Sequence, residues 1–153
     1  MPRTAVKQGR RMDAQILLVG DSSVAHTIMR EALEDAGYTV SHVSGSKIAL
    51  ALLRVCPQSM VVLLGTRCGT ELLEAAEREP SVGRHAFVLV TALWDLIPDS
   101  WRDLARRLHI PIVPKPFRIE DLLASVEQAS DHMRDLRAHT QYAHLSEAAG
   151  GAH

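Results

Sequence analysis

The chain has 153 residues, about the length of one ordinary domain, and can therefore bury a single hydrophobic core. Hydrophobic residues make up 46% of it and charged residues 23%, so we do not expect the bulk of the chain to be disordered. Seventeen Lys and Arg against 18 Asp and Glu give a net charge of −1, which argues against a protein that coats nucleic acid or membrane surfaces.

The first residues and the cysteines set further limits. Residues 1–13 are basic and show no hydrophobic period, so they predict a flexible leader rather than a signal peptide, with Met1 or Met12 as the natural start. Cys56 and Cys68 are the only two cysteines, which favours a reduced, cytoplasmic protein over a disulfide scaffold. The apolar runs are all far too short to cross a bilayer.

From residue 16 onward, short continuous apolar runs alternate with segments whose apolar residues recur at helical spacing. Runs of this kind are typical of strands buried on both faces, as in a parallel sheet. The pattern predicts strands at 16–19, 38–43, 60–64, 86–90 and 110–113. It predicts helices from 24 to the glycine at 37, at 46–54, 71–79 and 100–108, and from 119 onward.

This alternation predicts βαβ units with right-handed crossovers, and so an open, mostly parallel sheet covered by helices on both faces. In such sheets, functional groups lie at the carboxyl ends of the strands. We therefore expect any site among four strand ends, at 20–22, 65–67, 91–92 and 114–116.

Several of these strand ends carry recognisable sequence. The segments 16–21 and 30–38, Val-Thr-Ala at 90–92 and Lys-Pro-Phe at 115–117, in this order and spacing, are similar to the receiver domain of bacterial two-component response regulators. The resemblance covers about residues 14–130. It implies the CheY-like, flavodoxin-like (βα)5 fold of class α/β, with strand order 2-1-3-4-5, here continued by an extended C-terminal helix.

The resemblance also implies a chemistry that this sequence lacks. Receivers are phosphorylated on an aspartate at the end of the third strand, and two acidic residues after the first strand hold the Mg²⁺ that neutralises the phosphoryl group. Here Gly20 takes the first acidic position and only Asp21 remains, while the phosphoacceptor position falls at Leu63, Leu64 or Gly65. We therefore interpret the chain as a degenerate receiver, or pseudo-receiver, with no phosphoacceptor, catalytic residue, cofactor or metal site.

Three residues of the receiver pocket remain, namely Asp21, Thr91 and Lys115. Asp21 and Lys115 either pair across the vacated pocket or are exposed and inert, and an exposed pair adds only ~0–1 kcal/mol to stability. Thr91 either forms local hydrogen bonds or simply ends a strand. Thr66 and Arg67, in the loop predicted after the third strand, form a possible ligand loop that would bind a small anion together with Lys115 and backbone N–H groups.

Two tryptophans are possible interface residues. Trp94 and Trp101 fall near the fourth helix, a region that receivers use for partner contacts. They either anchor an interface or cover the core under a loop.

The last helix carries an apolar seam with alternating spacings of three and four residues, typical of a helix that packs against another helix. The seam consists of Ile119, Leu122, Val126, Ala129, Met133, Leu136, Thr140 and Ala143. We expect its second half, from about residue 130, to lack cover from the domain, which makes Met133 and Leu136 possible interface residues. We predict a helical extension at 131–146 that forms a homodimer contact or docks a partner helix, with a frayed tail as the alternative, and a disordered tail at 147–153.

The eight histidines show no spacing typical of a metal site, and we interpret them as titrating surface residues. The function predicted from these observations is that of a stand-alone, atypical response regulator receiver in two-component or phosphorelay signal transduction. It would act by phosphorylation-independent contact with a histidine kinase or an effector, as a homodimer, with no enzyme activity and no nucleic-acid or membrane partner. The alternative is a ligand-sensing domain that binds a small anion or nucleotide in the vacated phosphorylation pocket.

Overall fold

The computed structural model describes residues 15–20, 24–92 and 97–150. Five strands in this part of the chain form one sheet: β1 (Gln15–Val19), β2 (Thr39–Val43), β3 (Val61–Leu64), β4 (Ala86–Thr91) and β5 (Ile112–Pro114). Its helices are α1 (Val24–Asp35), α2 (Ser46–Val55), α3 (Thr66–Arg78), α4 (Pro80–Gly83), α5 (Asp99–Arg107) and α6 (Ile119–Gly150).

All strand pairs are parallel, and the order across the sheet is β2-β1-β3-β4-β5. The predicted fold, a (βα)5 flavodoxin-like sheet with a long C-terminal helix, is therefore confirmed. Each predicted strand is present to within two residues of its predicted limits.

The sheet separates two hydrophobic clusters, one on each face. Along β1, Leu17 and Val19 belong to one cluster while Ile16 and Leu18 belong to the other, and all four are at most 1% exposed. Because side chains alternate along a strand, a sheet covered on both faces needs an uninterrupted apolar run, which is what the sequence contains.

Two local predictions between β3 and β4 were wrong. The loop predicted at 65–69 is absent, because Gly65 adopts an extended conformation and α3 begins at the next residue, Thr66. The short helix α4, which begins at Pro80, is absent from the predicted elements. Proline is well suited to the first turn of a helix, where no partner exists for its missing N–H group.

The strand β5 begins later than predicted. Ile110 was assigned to it, but the Ile110 N–H group donates instead to the carbonyl of Ala105, 2.9 Å away, and so closes the end of α5. This bond leaves Ile112–Pro114 for pairing with β4.

The first half of α6 packs against the sheet, as predicted. Leu122, Val126, Ala129 and Met133 are all at most 5% exposed and belong to the same hydrophobic cluster. The prediction that cover ends at about residue 130 was wrong by one helical turn, because Met133 still reaches this core. Met133 is therefore a core residue and not an interface residue.

The rest of α6 continues to Gly150, past the predicted end of the extension at 146 and into the segment predicted to be disordered. Two alanines, at 148 and 149, favour this continuation because alanine has the highest helix propensity. The leader at 1–13, the last three residues of the predicted tail and the side chain of Leu136 lie outside the described part of the chain. No helix in the described ranges is long and apolar enough to cross a membrane.

Candidate functional site

The carboxyl ends of β1 and β3 meet at the place where a receiver would hold its phosphoryl group. Val19 pairs with Leu64, so Gly20 and Gly65 follow at neighbouring positions of the sheet edge. Leu63 and Leu64 point into the two opposite hydrophobic clusters and are each 2% exposed. Of the three candidates for the phosphoacceptor position, the geometry therefore leaves Gly65.

Gly20 has a backbone conformation that resists a side chain. Its φ of +134° lies in a region that L-residues rarely adopt, and a Cβ atom there would come within 3.2 Å of the His26 ring. A carboxylate at the first acidic position would therefore require both the backbone and His26 to move.

Gly65 is different, because its surroundings leave room. Its φ is −99° and a Cβ atom would meet only the carbonyl oxygen of Val90, at an ordinary 3.7 Å. A side chain at position 65 would therefore need no change of the backbone, whereas at position 20 the backbone would have to change as well.

The remaining receiver residues are only partly brought together. The backbone N–H of Lys115 donates to the carbonyl of Thr91, 2.9 Å away, and the peptide bond from Lys115 to Pro116 is cis. Thr91 is 3% exposed, while the Lys115 side chain is exposed. Asp21 lies outside the described residues, so its pairing with Lys115 stays a prediction.

The possible ligand loop begins a helix. Thr66 and Arg67 are the first two residues of α3, whose N-terminus points its free N–H groups toward the strand end. The side chains of both residues lie outside the described part of the structure, so their role as ligand contacts stays a prediction.

Trp101 closes one side of the vacated pocket from within the core. It is 7% exposed, its indole N–H donates to Thr70 Oγ1 at 2.7 Å, and its ring lies against Gly69. Of the two alternatives for Trp101, the structure supports the one in which it covers the core, because Gly69 has no side chain and the indole therefore packs between α5 and α3. Trp94 lies outside the described residues.

Two histidines at the same sheet edge were missed by sequence reasoning. The Nε2–H group of His42 donates to the carbonyl of Gly20 at 2.6 Å, and the ring of His26 lies edge-on to it, with centroids 5.4 Å apart. Both rings are half-buried, so the general interpretation of the histidines as surface residues is wrong here. The sequence could not predict this contact, because His42 lies in β2 and Gly20 follows β1, 22 residues earlier in the chain.

His85 is buried at the opposite, amino-terminal edge of the sheet. Its Nδ1 atom accepts from the Met60 N–H group and its Nε2–H group donates to the Leu53 carbonyl, both at 2.9 Å. Burial lowers the pKa of His85, in opposition to the Leu53 hydrogen bond, which raises it. This histidine is therefore a neutral structural link between α2 and the strands β3 and β4.

The residues present do not fit a receiver's magnesium ion. Mg²⁺ is held by carboxylate oxygens, and the glycines at positions 20 and 65 supply none. Within the described ranges, no group of three His, Cys, Asp or Glu side chains could hold a metal ion. We therefore derive no step through a metal.

No family model matches the chain, and no curated protein matches it either. Solved structures do match. The chemotaxis response regulator CheY4 of Vibrio cholerae is 21% identical, with a TM-score of 0.61 over 76% of this chain and 98% of that chain. The signal receiver domain of an HD domain-containing protein from Pseudomonas fluorescens Pf-5 is 22% identical, with a TM-score of 0.62 over 82% of this chain and 99% of that one.

A sensor protein from Polaromonas sp. JS666 is similar at the same level, with 24% identity and a TM-score of 0.63 over 79% of this chain and 98% of that chain. The chain has the CheY-like receiver fold. At these identities the likeness concerns the fold, and it spans nearly the whole of each similar structure.

Proposed function

We propose that this chain is a receiver-fold module of signal transduction that acts through protein–protein contact and does not accept a phosphoryl group. One observation supports the proposal: the residues that end β3, Leu64 and Gly65, carry no carboxylate, and neither does Gly20, which follows β1 at the same sheet edge. Phosphoryl transfer needs a carboxylate nucleophile and a cation to balance the charge of the transferred group. Gly65 supplies no carboxylate nucleophile, and Gly20 supplies no carboxylate to bind the cation.

The partners we propose are a histidine kinase or an effector protein. Similar structures are described as a chemotaxis response regulator and as a signal receiver domain, which supports a role in signalling for this chain as well. We assign the chain no catalytic role, because its strand ends offer no nucleophile at the acceptor position. A nearly balanced net charge of −1 favours a protein partner over a nucleic acid.

We further propose that α6 mediates contact with a second copy of the chain. Residues 134–150 continue the helix for about 25 Å beyond the last core residue, Met133. The seam spacing of three and four residues continues through this part of the sequence. A long helix with such a seam gains stability by packing against another helix, and a second copy supplies the same seam.

The alternative function is the binding of a small anion or nucleotide in the vacated pocket. One feature favours it: α3 starts directly at the strand end, and its N-cap residue Gly65 makes no side-chain capping hydrogen bond. N–H groups at a helix N-terminus attract anions, and the exposed Lys115 follows β5, at the same edge of the sheet but separated from β3 by β4. An increase in Tm with inorganic phosphate that is lost in Lys115→Ala would support this alternative.

The experiment that tests the proposed function is phosphoryl transfer from radiolabelled acetyl phosphate in the presence of Mg²⁺. A receiver that carries the acceptor aspartate serves as the positive control. We expect no label on this chain at times when the control is fully labelled. Label that is released by hydroxylamine, as expected of an acyl phosphate, and that maps to the segment around β3 would overturn the proposal.

A further inference from the structure

Two histidines that the site does not use meet at the amino-terminal edge of the sheet. His109 lies in the turn between α5 and β5, and His132 lies on α6. Their ring centroids are 4.8 Å apart and the ring planes are tilted by 40°. The pair forms part of the wall of two neighbouring cavities, with volumes of about 550 and 380 Å³.

The backbone of His109 is held in an unusual conformation. Its φ is +56°, in the left-handed region that glycine normally occupies after a helix. The His109 N–H donates to the Arg106 carbonyl at 3.2 Å, and the Ile110 N–H donates to the Ala105 carbonyl. These two hydrogen bonds end α5. A histidine is strained at this position, and its ring is thereby directed at α6.

Acidic groups face the pair from α6 itself. Glu127, Asp131 and Asp135 line the larger cavity together with His109 and His132. Burial and the neighbouring His109 lower the pKa of His132, while Asp135 raises it. Burial and the contact with His109 therefore disfavour the protonated form of His132, whereas the neighbouring carboxylates favour it.

The smaller cavity is lined near the histidine pair by two charged or titratable side chains that already have partners. Arg107 forms an ion pair with Glu77 at 2.8 Å, and both ring nitrogens of His85 are used in hydrogen bonds. Arg107 and His85 carry no negative charge, so neither can balance a positive charge on His109 or His132. The contact is thus suited to two neutral rings.

We propose that the His109–His132 contact is a proton-operated latch that holds the C-terminal half of α6 on the domain at neutral pH and releases it in acid. A proton on His132 draws this ring toward Asp135 and away from His109, whereas Asp131 is already paired with Arg134 on the same helix. Because the pKa of His132 is lowered, release occurs below the ordinary histidine value of about 6.5.

Release at His132 would act on the part of α6 that the core does not hold. Met133, the next residue, is the last buried one in the cluster under the sheet. Among the described side chains, the His109–His132 contact thus lies where the core contacts of α6 end, directly before residues 134–150. This inference goes beyond the proposed function and does not depend on it, since it concerns the opposite edge of the sheet.

The test is hydrogen exchange of the full-length chain at pH 7.5, 6.5 and 5.5, expressed as protection factors so that the intrinsic pH dependence is removed. We expect the amides of residues 134–150 to lose protection by about tenfold or more between pH 7.5 and 5.5, because a protonated His132 leaves the contact with His109. Protection in β3 serves as the reference, since global unfolding lowers it in parallel. The ratio of α6 to β3 protection is therefore the readout.

Two variants remove the latch and one is a matched control. His109→Gly suits the left-handed backbone and lacks the ring, and His132→Gln keeps the helix without titrating in this range. In both, we expect α6 protection relative to β3 to be independent of pH, while His139→Gln, farther along the same helix, behaves like the wild type. The proposal is overturned if wild-type α6 is unprotected at pH 7.5, if its relative protection is constant with pH, or if His109→Gly shows the wild-type loss.

Discussion

The indole ring of Trp101 on α5 lies directly against the backbone of Gly69 on α3. A methyl group at position 69 would overlap two atoms of the six-membered ring and come within 2.9 Å of the Leu64 side chain. The same indole donates a hydrogen bond to Thr70. The end of β3 is therefore closed on one side by a fixed contact between two helices.

We predict that Gly69→Ala lowers the free energy of unfolding, although alanine is the better helix former. Overpacking of a tight contact costs about 1–3 kcal/mol, whereas alanine gains at most about 1 kcal/mol over glycine within a helix. Urea unfolding measures the difference. In a Trp101→Phe background the smaller ring leaves space, so the penalty should largely disappear, and an equal penalty in both backgrounds would contradict the contact.

The two glycines at the sheet edge should respond differently to aspartate. Gly65→Asp has room for its Cβ atom, so we expect its stability to stay within about 1 kcal/mol of the wild type, as for a tolerated surface change. Gly20→Asp forces a positive φ and crowds His26, which costs about 1–3 kcal/mol. Thermal unfolding of the two variants compares them directly. The geometry would be contradicted if Gly65→Asp were the more destabilised.

The buried His85 predicts a loss of stability in acid. Its folded pKa is lowered, so the unfolded chain binds the proton more readily and the stabilisation present above about pH 6.5 is lost as the pH falls. Protonation would place a hydrogen on Nδ1, which now accepts from Met60. We expect the free energy of unfolding to fall between pH 7.5 and 5.5.

The control for this prediction is His85→Asn, which keeps an acceptor and a donor but does not titrate. It should be less stable at pH 7.5 by about 1–3 kcal/mol, since one of the two buried bonds is lost. Its remaining pH dependence should be smaller than that of the wild type. A wild-type stability that is constant or rises on acidification would contradict the neutral assignment of His85.

The proposed contact between two copies is tested at a seam position of α6. Leu136→Lys places a charge on the seam, whereas Ala138→Lys places the same charge off it. We expect the first variant to shift sedimentation from dimer to monomer and the second to leave the dimer unchanged. If the wild type sediments as a monomer at micromolar concentration, the dimer proposal fails.

The sheet could be predicted from the sequence because its pattern is local. The run from Ile16 to Val19 and the run from Met60 to Leu64 are apolar at every position, and a parallel sheet buried on both faces is the structure that uses such runs. The strand order followed from the resemblance and from the rules of crossover connections. The start of α3 could not be predicted, because Gly65 can either extend a loop or precede a helix.

The side-chain clusters could not be predicted, since they join residues far apart in the chain. His109 meets His132, and His42 meets Gly20, only once the strands are in register. Trp101 was left open between surface and core, and the choice depended on Gly69, which carries no hydrophobic signal. The absence of an acceptor was readable from the sequence alone, although its position at Gly65 required the β1–β3 pairing.

The central claim is that the strand end at Gly65 cannot take a phosphoryl group. NMR spectroscopy with beryllofluoride and Mg²⁺ tests this claim most directly. Beryllofluoride imitates a phosphoryl group bound to an acceptor carboxylate. We predict that the amide signals of Gly65, Thr91 and Lys115 stay in place as beryllofluoride is added in excess. Saturable shifts of these three signals that require Mg²⁺ would contradict the account.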